Sequence, residues 1–165
     1  MKYILALLFT LSTYNALGQE AKMSYADRVK DAFTRLNINN LQVVDEFYDA
    51  NLEFHDPIGS LKGRENMRAY YKKMYDGLKS IKFEYLDVIV QDKKVVLVWK
   101  MTYATEKLNN GEAITVPGSS VIYFGGAEDK VVYHRDYFDV GAMVYEYVPV
   151  LGWGVRKLKA MLGEH

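Results

Sequence analysis

Apolar residues recur first at helical and then at strand spacing along this chain, and the change of period divides it into two halves. Ser24 precedes a segment in which Tyr25, Val29, Ala32, Phe33 and Leu36 share one stripe, which predicts a helix capped at its start. Asn37 to Asn40 ends it, and a shorter helix from Leu41 carries Val44, Phe47 and Tyr48 inward. Leu52-Glu53-Phe54 reads as a brief strand running into His55-Asp56-Pro57-Ile58-Gly59. Residues 59–63 read as a turn, after which Met67, Tyr70, Tyr71, Met74 and Leu78 return to helical spacing, with Gly77 marking the end.

From Ile81 the period becomes two. Ile81, Phe83 and Tyr85 alternate with Lys82 and Glu84, and Asp92-Lys93 turns the chain. In the next strand Val95, Leu97, Trp99, Met101 and Tyr103 share a face, and Asn109-Asn110-Gly111 reads as a hairpin loop. Segments 113–124 and 130–138 complete four long strands. Short helices followed by a curled meander predict an α+β fold, with N-terminal helices packed on a curved, mostly antiparallel sheet. A sheet bent around a helix leaves a cone-shaped cavity. Beyond it, Leu151, Val155, Leu158 and Leu162 form one stripe of a terminal helix that closes or flanks the domain, with Arg156, Lys157 and Lys159 facing water or an anionic surface.

The first 18 residues read separately, as a signal peptide. Lys2, the apolar run from Ile4 to Leu11 and the small residues Ala16-Leu17-Gly18 fit a secretory leader, which predicts a periplasmic or secreted protein. No later run predicts a transmembrane segment. Export permits disulfides, yet the chain has no cysteine, which removes both bridges and a thiol nucleophile. The rest of the chain, residues 19–165, suits one domain. Net charge is zero, which argues against nucleic acid as a partner. Fourteen tyrosines and seven methionines suit an apolar core and also a roomy apolar site. No glycine-rich loop between a strand and a helix predicts a nucleotide cofactor, and no closely spaced His or Cys pair concentrates a metal-ligand signal.

The candidate chemistry lies in two places. By strand alternation His134, Asp136 and Phe138 point one way while Tyr133, Arg135 and Tyr137 point the other, so one face carries an imidazole and a carboxylate. A carboxylate entering apolar surroundings gains proton affinity, which suits acid–base work near neutrality. The same pair also suits a structural hydrogen-bond network. Asp56 is the second candidate, and its plain alternative is a turn in which the carboxylate holds its own backbone. His55 faces away from Asp56 by alternation. Neither Ser119 nor Ser120 sits in the glycine-framed elbow of a serine nucleophile.

Residues 52–59, the segment Leu61-Lys62-Gly63-Arg64-Glu65-Asn66-Met67 and residues 131–139 together resemble the SnoaL-like branch of the nuclear transport factor 2-like superfamily, over nearly all of the chain beyond the leader. The resemblance implies a cone of helices on a curved sheet. For activity it is permissive, since the superfamily includes isomerases, cyclases, dehydratases, epoxide hydrolases and binders. Comparison with its ketosteroid isomerases carries a proton-shuttling base onto Asp56, while their oxyanion-hole tyrosine and aspartate fall on Ala32 and Ser119. SnoaL-type cyclases are similar in having a late-strand catalytic aspartate, here Asp136. The aspartate–arginine set of the epoxide hydrolases finds no match on the strand holding Trp99 and Met101.

The expected catalytic set is therefore Asp56, His134 and Asp136, and the expected pocket lining is Phe33, Phe54, Trp99, Met101, Ser119 and Phe138. The leading function is acid–base isomerisation or cyclisation of a small apolar carbonyl compound, with Asp56 or Asp136 taking the proton and His134 or a tyrosine holding the oxyanion. A non-catalytic carrier or sensor of a small apolar ligand is the alternative, and a homodimer or scaffold built on the outer sheet face and terminal helix is a third. Two of the three candidate groups within hydrogen-bond reach would favour chemistry over binding.

Overall fold

The computed structural model describes residues 23–163. Helix α1 spans Tyr25–Arg35, and the Ser24 side chain caps it by accepting the N–H of Asp27 at 3.1 Å. A five-residue helix α2, Val43–Phe47, runs straight into strand β1, Tyr48–His55. Tyr48 thus opens the strand instead of closing the helix. A short strand β2, Ser60–Lys62, occupies part of the expected turn, and helix α3, Arg64–Tyr75, follows. Gly63 precedes that helix at φ 86°, a conformation that costs a residue with a Cβ. The four long strands are β3, Leu78–Gln91; β4, Lys94–Thr105; β5, Ile114–Gly125; and β6, Lys130–Phe138.

These strands form one six-stranded sheet in the order β2-β1-β6-β5-β4-β3. All neighbours pair antiparallel except β1 and β6, which run parallel with Phe54 opposite His134. Register shifts interrupt β1 against β6, β3 against β4 and β5 against β6. Each such irregularity increases local twist and bends the strand, which lets the sheet curve around the helices. Val29, Val44, Leu52, Phe54, Met67, Leu97 and Ile122 fill the space between the curved face and helices α1 to α3. The predicted α+β layering, with helices before a curved and mostly antiparallel sheet, is the observed one.

After β6 the chain makes a short helix α4, Val140–Met143, capped by the Asp139 side chain, then a 3₁₀ turn at Tyr145–Tyr147 and the terminal helix α5, Pro149–Gly163. The Tyr103 hydroxyl donates to the Met143 carbonyl at 2.5 Å and ties α4 to the open end of the sheet. Helix α5 flanks the domain with the opposite face from the one its leucines predict. Gly152 is buried against the Glu146 carbonyl, where a Cβ would come within 2.1 Å of that oxygen. Arg156 donates to the same carbonyl, and Lys159 pairs with Asp139 and Glu146. These polar contacts turn Leu151, Leu158 and Leu162 outward. None of the described helices is long and apolar enough to cross a membrane.

Candidate functional site

Strand β6 delivers His134 and Asp136 to the concave face two residues apart. His134 is fully buried, with its ring between Phe54, Phe33 and Tyr48 at centroid distances of 5.1, 5.7 and 5.9 Å. Its two nitrogens are both engaged: Nε2 lies 2.9 Å from Asp136 Oδ1, and Nδ1 lies 2.8 Å from the Tyr48 hydroxyl. The same Asp136 oxygen accepts the Ser120 hydroxyl at 2.5 Å, and Ser120 Oγ accepts the indole N–H of Trp99 at 2.9 Å. Tyr48 in turn lies 2.9 Å from the hydroxyl of Tyr71.

One proton arrangement satisfies the whole chain. Tyr71 donates to Tyr48, Tyr48 to His134 Nδ1, and His134 Nε2–H to Asp136; from the other side Trp99 donates to Ser120 and Ser120 to Asp136. That arrangement needs a neutral His134 with its proton on Nε2 and an Asp136 whose Oδ1 carries no proton. An imidazolium would reverse the phenols and leave Tyr71 with a buried, unused O–H. Burial pushes both the Tyr48 and Tyr71 phenols well above their ordinary pKa, which keeps them protonated as donors.

Asp136 lines a cavity whose other walls come from α1, α3, the sheet and α4: Phe33 and Leu36; Tyr70, Tyr71, Met74 and Tyr75; Phe83, Trp99, Met101 and Phe138; and Met143. Counted to its walls and mouth it holds about 550 Å³. Asp136 is the one charged residue in this lining. Its Oδ2 makes no hydrogen bond to any described residue. Of the three phenols in the wall, Tyr71 is committed to Tyr48 and Tyr70 to Asp56, while the Tyr75 hydroxyl bonds no described residue. Burial raises the Tyr75 pKa, so it too stays a donor.

The lining is shaped by a missing side chain. Gly118 sits beneath the Trp99 ring, and a Cβ there would lie 2.2 Å from its outer edge. Trp99 can therefore lie flat enough on β5 to reach Ser120. The signal that placed the polar pocket group at Ser119 misplaced it by one residue. Ser119 pairs with half-exposed Tyr137 on the convex face, whereas Ser120 pairs with Asp136 on the concave one.

Asp56 is held elsewhere. Its Oδ1 accepts the backbone N–H groups of Ile58 and Gly59, each at 2.7 Å, and its own N–H donates to the Gly59 carbonyl. Its Oδ2 accepts the Tyr70 hydroxyl at 2.7 Å. It borders a second, more open cavity with Phe54, Ile58, Leu61, Lys73, Met74 and Met143, and Tyr70 stands between the two spaces. Burial and then the Asp56 bond raise the Tyr70 pKa. The expected trio thus splits: His134 and Asp136 meet, and Asp56 braces a turn across the Tyr70 ring. Phe33, Trp99, Met101 and Phe138 line the Asp136 cavity as expected, and Phe54 lines the Asp56 side. His134 has no nitrogen left for a ligand oxygen, which removes it as an oxyanion donor. His55 faces the convex side, bonded to Glu53 at 2.8 Å. Among the described residues no cluster of His, Asp or Glu could hold a metal ion.

Helices packed on a curved sheet around a cavity with one part-buried carboxylate in its lining define the class of cone-shaped pocket proteins with the nuclear transport factor 2-like fold. The model of the SnoaL-like domain matches residues 29–134, and the chain belongs to that family. The structure is similar to a protein of unknown function from Burkholderia pseudomallei, with a TM-score of 0.65 and 16% identity over 76% of this chain and 99% of that one. A candidate SnoaL-like polyketide cyclase from Shewanella denitrificans gives 0.63 and 15% over 72% and 93%. An epoxide hydrolase from M. tuberculosis gives 0.60 and 14% over 72% and 81%. At such identities the likeness establishes the fold alone. No curated protein matches the chain.

Proposed function

We propose that this protein is an acid–base pocket enzyme that moves a proton on a small, largely apolar carbonyl compound, with Asp136 as the base. The observation that carries the proposal is the arrangement of Asp136, with one oxygen held by Ser120 and His134 and the other unbonded on an apolar cavity. Anchoring one oxygen aims the other at the substrate, and apolar walls keep water from competing for it. Asp136 would take a proton from the carbon next to the carbonyl. In an isomerisation it returns the proton at another carbon of the enolate. In a ring closure the enolate carbon attacks a second carbonyl of the substrate, and the proton goes to the alkoxide oxygen so formed. The carboxylate is regenerated either way. Tyr75, whose hydroxyl no described residue uses, would donate to the enolate oxygen. Ser120 and His134 would be positioning residues. The SnoaL-like family and the cyclase-like neighbours support the reading at the level of fold.

Exchange of the acidic C–H groups of cyclohexanone in deuterium oxide, followed by NMR, tests it. The parent protein should accelerate exchange over buffer, and Asp136→Asn should lower the protein-dependent rate by about 10²–10⁴-fold, the usual range for a positioned base. A protein-dependent rate that survives unchanged in Asp136→Asn would exclude the mechanism. We further propose export, on the leader-like residues 1–18, which lie outside the described residues. An intact mass from the native host consistent with a start at Gln19 would support it, and a mass retaining Met1 to Gly18 would contradict it.

A further inference from the structure

We infer that helix α5 is a docking face for an anionic lipid surface. A helix on a globular domain normally buries its apolar stripe and shows its polar one. Here the order is reversed. Gly152, Arg156 and Lys159 face the domain, held by the Glu146 carbonyl, the Glu146 carboxylate and Asp139. The opposite side presents Val150, Leu151, Trp153, Leu158, Met161 and Leu162, which are 85, 47, 63, 61, 67 and 77% exposed. Fifteen residues make a ridge about 22 Å long. The 3₁₀ turn at Tyr145–Tyr147 is its chief support, so the ridge stands clear of the sheet. Water is a poor neighbour for so much contiguous apolar surface.

The charge pattern selects the partner. Between Pro149 and Gly163 the chain has three basic residues and no acidic one. Arg156 and Lys159 are drawn to the domain side, while Lys157 stays on the outer side with its ammonium 5.1 Å from the centre of the Trp153 ring. An indole with a lysine one turn further along the same apolar ridge can settle at a headgroup boundary, with the ring and the lysine stem in the acyl edge and the ammonium reaching up among phosphates. A second copy of the same helix would meet it with the same sign of charge. A bilayer containing anionic lipid supplies the opposite sign and a broad apolar surface in one partner.

The two tryptophans of the chain make the test simple, because Trp99 is buried and Trp153 is exposed. The full chain is mixed with vesicles of equimolar phosphatidylcholine and phosphatidylglycerol, and sedimentation with the vesicles is read together with tryptophan emission. The parent should bind with a blue shift from Trp153, and bind more weakly in high salt or to vesicles of phosphatidylcholine alone. Leu158→Glu combined with Met161→Glu, at two exposed positions that leave the domain contacts alone, should lower the partition coefficient at least about tenfold. The apolar residues 4–11 are common to both proteins, so the difference between them isolates the helix. Equal partitioning of parent and variant would overturn the inference, as would equal binding to neutral and anionic vesicles. A lipid-free parent dimer that the variant converts to monomer would overturn it in favour of a self-interface.

Discussion

Two adjacent serines separate the concave from the convex face of β5, and replacing each with alanine should give very different costs. Ser120 is fully buried, accepts the Trp99 indole N–H at 2.9 Å and donates to Asp136 at 2.5 Å. In Ser120→Ala the indole N–H, on a side chain only 3% exposed, loses its acceptor, which costs about 1–3 kcal/mol for a buried donor left unpaired. The carboxylate loses a hydrogen bond of the charged kind, about 1.5–3 kcal/mol, partly offset because His134 still holds the same oxygen. A net loss of about 2–4 kcal/mol is expected, since the two effects share one hydroxyl and do not simply add. Ser119→Ala, on the face that pairs with Tyr137, should stay within about 0.5 kcal/mol of the parent. Urea unfolding followed by circular dichroism measures both. A Ser120→Ala loss no larger than that of Ser119→Ala would refute the network, and with it the claim that Asp136 is held from two sides.

Gly118→Ala should cost about 1–3 kcal/mol by overpacking, because the new methyl meets the Trp99 ring; a shift in near-ultraviolet circular dichroism should report the displaced indole. Tyr48→Phe leaves His134 Nδ1 buried without a donor and should cost about 1–3 kcal/mol in the same unfolding assay, whereas Tyr70→Phe, whose partner Asp56 keeps two backbone donors, should cost less. The docking of α5 should depend on pH in the acid range. Lys159, then the Ala142 N–H, hold the Asp139 carboxyl below its ordinary range. Its stabilising contribution is complete above the unfolded carboxylate pKa of about 3.9 and disappears as pH falls through the lower folded value. Acid-range hydrogen exchange should therefore show residues 149–163 losing protection as Asp139 is protonated, and in Asp139→Asn that dependence should be weaker, with only the Glu146 contact of Lys159 left to titrate.

The layering was legible because the periods of apolar residues are long and clean, three helical stripes and then four strands. The pairing of His134 with Asp136 was legible for the same reason, since alternation within one strand needs no knowledge of neighbours. The errors arose where a face is decided by contacts distant in sequence. Ser120 shares its parity with Ile114, Val116, Ile122 and Phe124, all buried, and that alternation carries more weight than the comparison with ketosteroid isomerases that pointed to Ser119. Tyr48 looked like the last turn of a helix, and only the pairing of β1 with β6 makes it a strand residue beneath His134. Tyr70, Tyr71 and Met74 read as a packing stripe, which they are, yet the bend of the sheet leaves space against them. The α5 stripe pointed the wrong way because its inner face is chosen by Gly152, Arg156 and Lys159 meeting Glu146 and Asp139.

The central claim is that Asp136, and not Asp56, is the working base. Protein-dependent C–H exchange in cyclohexanone, measured for Asp56→Asn and Asp136→Asn under the same conditions, tests it most directly. The account predicts a loss of about 10²–10⁴-fold in Asp136→Asn and a rate within about threefold of the parent in Asp56→Asn, whose side chain braces a turn behind Tyr70. A large loss in Asp56→Asn with the parent rate kept in Asp136→Asn would contradict it.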